Sequence, residues 1–436
     1  MSRPAGAPHL PRALVAGYGL LWVLGAGFLW WPLVVVRLLS SGRLSRPGPL
    51  LVLVLTPALL LVSLVVAVPT TGPPPARVVA ALFLTLPWLA LVLGSVKRWG
   101  PGDVRALARG LVDLSVLQGV LVVVAQLAYP AGRALRLPLS YLLPAHLSQE
   151  PPLDAWLLER LAFPDYYAGP VVRTAGLFGN PTWAGALAAC ALLVLACRPG
   201  DVVGRRRLSW LLPVLAAAVD VATLVYAYSR NDVLGLVLGL AAAAAVAVFA
   251  RLRPRGRCAL GGGLLVLAAG VLAVLDLPAV FRSFNSGRAG SLDARQAIYG
   301  QTLAKVHQHP LLLGSGIKEA GSHLVASLGT HSTLLGLLYR GGWLAFWGFV
   351  GWLVLLGALA VRRASPLAAG LVVFAALWCT AEDLDAGHLV PAALLLAIAL
   401  VQAGRPRTGP DDVDGEACAR SADPPDGVSR SPADCR

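Results

Sequence analysis

Charge is scarce in this chain. Asp, Glu, Lys and Arg make up 13% of its 436 residues, about half the share carried by a soluble domain, which argues against a soluble fold. Lysine is nearly missing, with Lys97, Lys305 and Lys318 the three in the chain. The six cysteines form neither a disulfide framework nor a metal-ligand spacing. Cys190, Cys197, Cys258 and Cys379 lie in apolar runs and Cys418 and Cys435 in the tail, and all six read as small residues without chemistry. No phosphate-cradling glycine motif, nucleotide-binding fold or internal repeat is found. What fills the sequence is apolar: 57% of it is hydrophobic. The fold class that follows is all-α, a polytopic transmembrane helical bundle whose core is set by lipid and helix packing.

A span needs ~20 apolar residues. Eleven candidates are found, at 13–39, 50–68, 78–96, 111–129, 180–197, 208–228, 233–250, 258–276, 333–361, 366–381 and 386–403. The first contains Trp30-Trp31-Pro32 and is either a broken helix or a tight pair, so the count is eleven or twelve. It is too long for the apolar stretch of a cleaved leader and reads as an uncleaved first span. The 36 Lys and Arg exceed the 22 Asp and Glu, for a net charge of +14. Such an excess suits nucleic acid, but the arginines sit mostly in short loops between apolar runs, which is the orientation signal of membrane proteins. No nucleic-acid partner is expected. The loops carrying Lys97 to Arg109, Arg198 to Arg207, Arg251 to Arg257 and Arg362-Arg363 all fall on one side by span counting, which makes that side the cytoplasm. The expected organisation is a transmembrane domain over 1–403, with extracytoplasmic loops at 130–179 and 277–332, and a disordered cytoplasmic tail over 404–436 that is too polar to fold alone. An amphipathic helix is expected over 292–308, capped by Ser291 and stopped by Pro310, with Arg295, Tyr299 and Thr302 on one stripe.

Several helix starts on the expected outer side gather polar groups. Asn180-Pro181 reads as N-cap and first helical residue. Ser229-Arg230-Asn231-Asp232 opens one apolar run, and Thr330-His331 opens another. Helix N-termini offer free N–H groups and a positive dipole end. With Arg173, Arg230, Arg288, Arg295 and Arg340 near the same side they form an anion site, for which a diphosphate is a natural ligand. His331 is the strongest single candidate, because a titratable side chain at the mouth of an apolar helix is costly to bury. Each residue also has a plainer reading. Arg288 and Lys318 suit solvated loop charges or headgroup contacts, Arg230 a snorkelling side chain, and Asn180 a cap. Asp220 suits a structural hydrogen bond to a neighbouring helix. Glu382, Asp383 and Asp385 form an acidic turn that holds an arginine of the site, assists His331, or is solvated.

Four elements in order carry a resemblance over roughly 170–360. They are Arg173-Thr174-Ala175-Gly176-Leu177-Phe178-Gly179-Asn180-Pro181, Tyr228-Ser229-Arg230, Arg295 with His309-Pro310-Leu311-Leu312-Leu313-Gly314-Ser315-Gly316, and the stretch from His331 to Gly342. Together they resemble the bacterial O-antigen ligase and O-antigen polymerase superfamily. The resemblance implies a metal-independent glycosyltransferase with no cofactor, working in lipopolysaccharide or other cell-surface polysaccharide synthesis. Its donor would be a glycan on undecaprenyl diphosphate, and its acceptor a glycan or lipid A core-type hydroxyl. It would sit among membrane lipids in the cytoplasmic membrane, with its site toward the periplasm or exterior. By the same resemblance His331 is the base, Arg230 and Arg295 stabilise the departing diphosphate, and a late acidic residue maps near Glu382 or Asp383. Arg173, Asn180, Arg340, Arg288, Glu382 and Asp383 are the substrate-binding candidates. Direct displacement would invert the anomeric centre. The chain departs from the family pattern at Asn231-Asp232, where glycine often follows the arginine, and at Ser332, where asparagine often follows the histidine. These motifs leave ligase and polymerase unseparated. A flippase or transporter would need polar residues at the bilayer midplane, for which Asp220, Gln118 and Gln126 are the hints.

Overall fold

The computed structural model describes residues 10–40, 48–128, 135–144, 157–159, 161–164, 172–176, 179–202, 211–252, 289–308, 312–321, 327–384 and 388–403. The expected span at 258–276, Arg288, His309-Pro310 and the tail from 404 lie outside these residues. The fold is an all-α membrane bundle. Its helices are α1 (Leu10–Val23), α2 (Trp30–Ser40), α3 (Leu55–Thr71), α4 (Pro75–Val96), α5 (Pro101–Ala128), α6 (Leu139–Leu142), α7 (Pro181–Cys197), α8 (Pro199–Val202), α9 (Leu211–Ala227), α10 (Arg230–Arg251), α11 (Ala289–Val306), α12 (Thr333–Arg362), α13 (Pro366–Ala381) and α14 (Val390–Ala403). Among the described residues five helices are long and apolar enough to cross a membrane: 49–71, which includes the 3₁₀ turn leading into α3, then α4, α5, α10 and α12.

The run over 13–39, expected as a broken helix or a tight pair, is broken between α1 and α2. Gly25 has φ +82°, and a Cβ there would press on Leu137 at 3.0 Å. Only glycine takes that turn without strain while another segment approaches so closely. A 3₁₀ turn at Gly27–Leu29 follows, and Pro32 is tolerated because it falls in the first turn of α2, where its missing N–H has no intrahelical partner anyway. The helix expected over 292–308 is α11, which begins earlier, so Ser291 lies inside it rather than capping it.

α13 and α14 form the centre of the bundle and are buried along most of their length. α10 crosses α13 where Gly239 and Gly370 leave no space for a side chain, each Cβ falling within 2.9 Å of a carbonyl oxygen across the contact. Small residues at such crossings let backbones touch where lipid gives no hydrophobic drive. The outward faces carry exposed Val62, Val65, Val237, Trp347 and Val354, as a lipid-facing surface requires. Two small antiparallel pairs lie between α5 and α7: β1 (Leu135–Arg136) with β2 (Leu158–Glu159), and β3 (Ala162–Pro164) with β4 (Val172–Thr174).

α12 breaks at Gly342, which has φ 75° and ψ −175°. The carbonyls before the break accept from another segment: Ser315 N donates to Tyr339 O at 2.8 Å and Gly316 N to Arg340 O at 3.0 Å. The break thus docks 312–321 on the helix. A Cβ at Gly342 would meet Leu312 O at 2.5 Å, on top of the left-handed strain. We expect Gly342→Ala to cost about 1–3 kcal/mol, read as a lowered Tm in detergent. Gly351→Ala in the same helix, where a Cβ meets nothing within 4 Å, should leave Tm unchanged or raised.

Candidate active site at the start of α12

One face of α11 builds the site. Arg295, Tyr299 and Thr302 recur at helical spacing, and each meets a different part of the entry to α12 or the turn after α13. Arg295 Nη2 bonds Glu382 Oε1 at 3.0 Å. Tyr299 Oη donates to His331 O at 2.6 Å. Thr302 Oγ1 accepts from Gly329 N at 3.0 Å and donates to Ile298 O at 2.7 Å. His331 therefore has its main chain fixed two residues before α12 begins. Its φ is +61°, a conformation histidine adopts more readily than most residues but still at a cost. Ser332 caps α12, accepting from Leu335 N at 3.3 Å.

The turn after α13 is fastened to the same helix start. Glu382 O accepts from Thr333 N at 2.9 Å and from Thr333 Oγ1 at 2.7 Å, and Leu384 N donates to Thr333 Oγ1 at 2.7 Å. Asp383 Oδ2 bonds Lys318 Nζ at 2.9 Å. Lys318, expected as a solvated or headgroup charge, is instead mostly buried against Asp383, because docking 312–321 on the broken helix carries it inward. His388 adds a support that sequence reasoning did not single out. Its Nε2 reaches Asp383 O, and its Nδ1 accepts from Val390 N at 3.1 Å. Those bonds assign the Nε2–H tautomer, and the ring packs against Trp378 and Trp183. A polar residue at the start of an apolar run was its one signal in the sequence.

Charge sets the chemistry of this cluster. Burial pushes Glu382 up to about 7, against the pull of Arg295; Asp383 raises it further and Arg173 lowers it. Burial and then Arg295 press His331 below its ordinary value; Asp383 acts the other way, and Lys318 adds to the lowering. The imidazole is thereby kept neutral, as a base must be. Burial raises Tyr299, which keeps its hydroxyl a donor.

Arg173 is carried by β4, opposite Phe163 in β3. Its Nε donates to Ala227 O at 3.0 Å, satisfying a carbonyl at the end of α9. Its charge also bears on Asp232. That carboxylate is fully buried in the first turn of α10, where Ser229, Trp378 and the charge of Glu382 also act on it. Asp232 thus turns inward, whereas Arg230, two residues earlier, faces a different space. Arg230 lines an apolar groove of about 470 Å³ with Leu224, Val225, Tyr228, Val233, Leu234 and Val237.

Residues 214–350 match the family model described as O-antigen ligase. The segment belongs to the O-antigen ligase and polymerase superfamily. The match takes in Arg230, Arg295, Lys318, His331 and Arg340, whereas Arg173, Asn180, Glu382 and Asp383 lie beyond it. No curated protein matches the chain. The match supports O-antigen ligase-like membrane glycan transfer in general, a family whose substrates are lipid-linked glycans.

Within the ligase-like segment and around it, the fold brings His331, Arg295, Glu382 and Asp383 together, with Arg173 acting on Glu382. Arg230 belongs to the groove. Asn180 uses its Oδ1 as a cap, accepting from Thr182 N at 3.0 Å and Thr182 Oγ1 at 2.7 Å. Arg340 is 1% exposed and lies about 10 Å along α12 from its start, beside the break that docks 314–316. Arg288 lies outside the described residues.

The raised Glu382 fixes a sign for stability against pH. A carboxyl whose folded value exceeds its unfolded one binds its proton more tightly when folded. Its contribution is complete below the unfolded value of 4.5 and lost as pH rises through about 7. We expect Tm in detergent to fall over that window by an amount worth roughly 3 kcal/mol, and Glu382→Gln to flatten this fall.

Proposed function

We propose that the protein transfers a glycan from an undecaprenyl-diphosphate carrier to an acceptor hydroxyl, at the extracytoplasmic face of the cytoplasmic membrane, without a metal ion. The observation that carries the reading is a half-buried His331, its main chain held by Tyr299, with the charge of Arg295 acting on its ring at one helix start. His331 accepts the proton of the acceptor hydroxyl as that oxygen bonds to the anomeric carbon. The bond from the anomeric carbon to the phosphate oxygen breaks on the opposite side, so the centre inverts. Undecaprenyl diphosphate leaves with the electron pair, and Arg295 meets the charge that grows on it. Arg230 beside an apolar groove suits the anionic head of a lipid whose chain lies along α9 and α10, and the positive dipole end of α10 adds to the anion's reception.

The midspan polar residues do not favour a transporter. Asp220 Oδ1 accepts from Ser115 Oγ at 2.6 Å, Gln118 Nε2 donates to Ala175 O, and Gln126 Oε1 accepts from Thr174 Oγ1 at 3.3 Å. Each joins neighbouring segments of the bundle rather than marking a path across it.

A reconstituted assay with purified lipid-linked glycan tests the reading, with product mass separating transfer to a lipid A core-type acceptor from growth on the carrier. We expect His331→Ala to lose at least about 10²-fold in rate while still inserting in membranes, Arg295→Ala to raise KM for the donor, and wild-type transfer to survive EDTA. Retained transfer in His331→Ala removes His331 as base.

A further inference from the structure

Lys318 is placed by its main chain from several directions. Ser315 Oγ donates to Ile317 O at 2.8 Å, and Ile317 is buried beside Leu64 and Ala81. Arg77 Nη1 donates to Lys318 O at 3.0 Å. Beyond it, Leu328 N donates to Glu319 O at 2.8 Å, and Ala320 bridges Ser327 in antiparallel register. Continuing that register sets Lys318 level with Gly329, two residues before His331. Side chains alternate along such a segment: Glu319 reaches Lys305 of α11 at 3.8 Å, and Lys318 turns the other way, onto Asp383.

We infer that Lys318 is a positioning residue of the transfer reaction: its ammonium neutralises Asp383 and so leaves the His331 imidazole free to act as base. The inference rests on His331 being that base. The charges that act on His331 are Arg295 from α11, Lys318 from the docked segment and Asp383 from the turn after α13; Tyr299 of α11 bonds its main chain, and Glu382 next to Asp383 is paired to Arg295. Of these, Asp383 is the one whose charge favours the imidazolium, and a base already protonated cannot take the acceptor's proton. Lys318 Nζ sits on Asp383 Oδ2 and adds its own positive charge near the ring. Removing the ammonium while keeping its stem would leave Asp383 unopposed beside His331.

The test is the pH profile of transfer, together with a ¹³C-histidine NMR titration of the full chain in nanodiscs, using His331→Gln to assign the signal. In Lys318→Met we expect the acid limb of kcat/KM and the His331 titration to move up by about one pH unit. Transfer below the limb should then fall about tenfold, while the alkaline plateau stays within about twofold. Lys318→Arg should keep the wild-type limb, and Lys318→Met with Asp383→Asn should bring it back. Asp383→Asn alone should move both readings down, which keeps the test decisive if Lys318→Met does not fold. An unmoved His331 titration in Lys318→Met, or a loss equal at every pH, overturns the inference. The NMR reading needs no turnover, so full activity in His331→Ala would sink the base assignment separately.

Discussion

A carboxylate at the end of a wholly apolar helix has to be met by protein, because burial takes away the water that would otherwise solvate it. Glu382 is that carboxylate. Its side chain draws Arg295 out of α11, its environment includes the charge of Arg173, and its carbonyl receives both the amide and the hydroxyl of Thr333. One residue thus ties the end of α13 to the start of α12 and to the one face of α11 that carries Arg295, Tyr299 and Thr302. His331 stands inside this tie. Its position follows from the compensation of Glu382; burial lowers its imidazole first, and the same Arg295 that pairs with the carboxylate adds to that lowering.

The second constraint is the break in α12. Gly342 interrupts the helix, and the segment around Ser315 and Gly316 takes up carbonyls before the break. That docking delivers Lys318 to Asp383 and sets the cation in the cluster opposite a second carboxylate. The cluster then holds Arg173, Arg295 and Lys318 against Asp232, Glu382 and Asp383. Cations already matched by anions are pre-positioned without being bare, and in the proposed reaction an incoming diphosphate would exchange one set of anions for another. Arg230 stays apart from this exchange, on the lipid-facing groove of α9 and α10, and the first turn of α10 separates it from the inward-turned Asp232.

The bundle was legible in the sequence because a membrane crossing demands about 20 apolar residues: α4, α7, α10, α12 and α13 fall within a few residues of the runs that marked them. A break within 13–39 was signalled by Trp30-Trp31-Pro32, but its place was not, since it depends on Gly25 turning against Leu137, more than a hundred positions away. The stripe of Arg295, Tyr299 and Thr302 could be read from helical spacing alone, but what it meets could not. Glu382 is 87 residues from Arg295, and only packing brings them together. Lys318 was the plainest miss. A lone lysine in a polar loop has every sign of a solvated charge, and its burial comes from a helix break 24 residues later in the chain. Asp232 stood out as a departure beside Arg230; the helix turns it away from that arginine and toward Arg173 and Trp378.

The most direct measurement is cryo-electron microscopy of the full chain in a lipid nanodisc with an unreactive analogue of an undecaprenyl-diphosphate-linked sugar. We expect a phosphate oxygen within about 3 Å of the Arg295 guanidinium, and the His331 ring facing the anomeric carbon from the side away from the diphosphate. A diphosphate held away from Arg295, or a sugar that His331 does not face, contradicts a site built on the Glu382 tie.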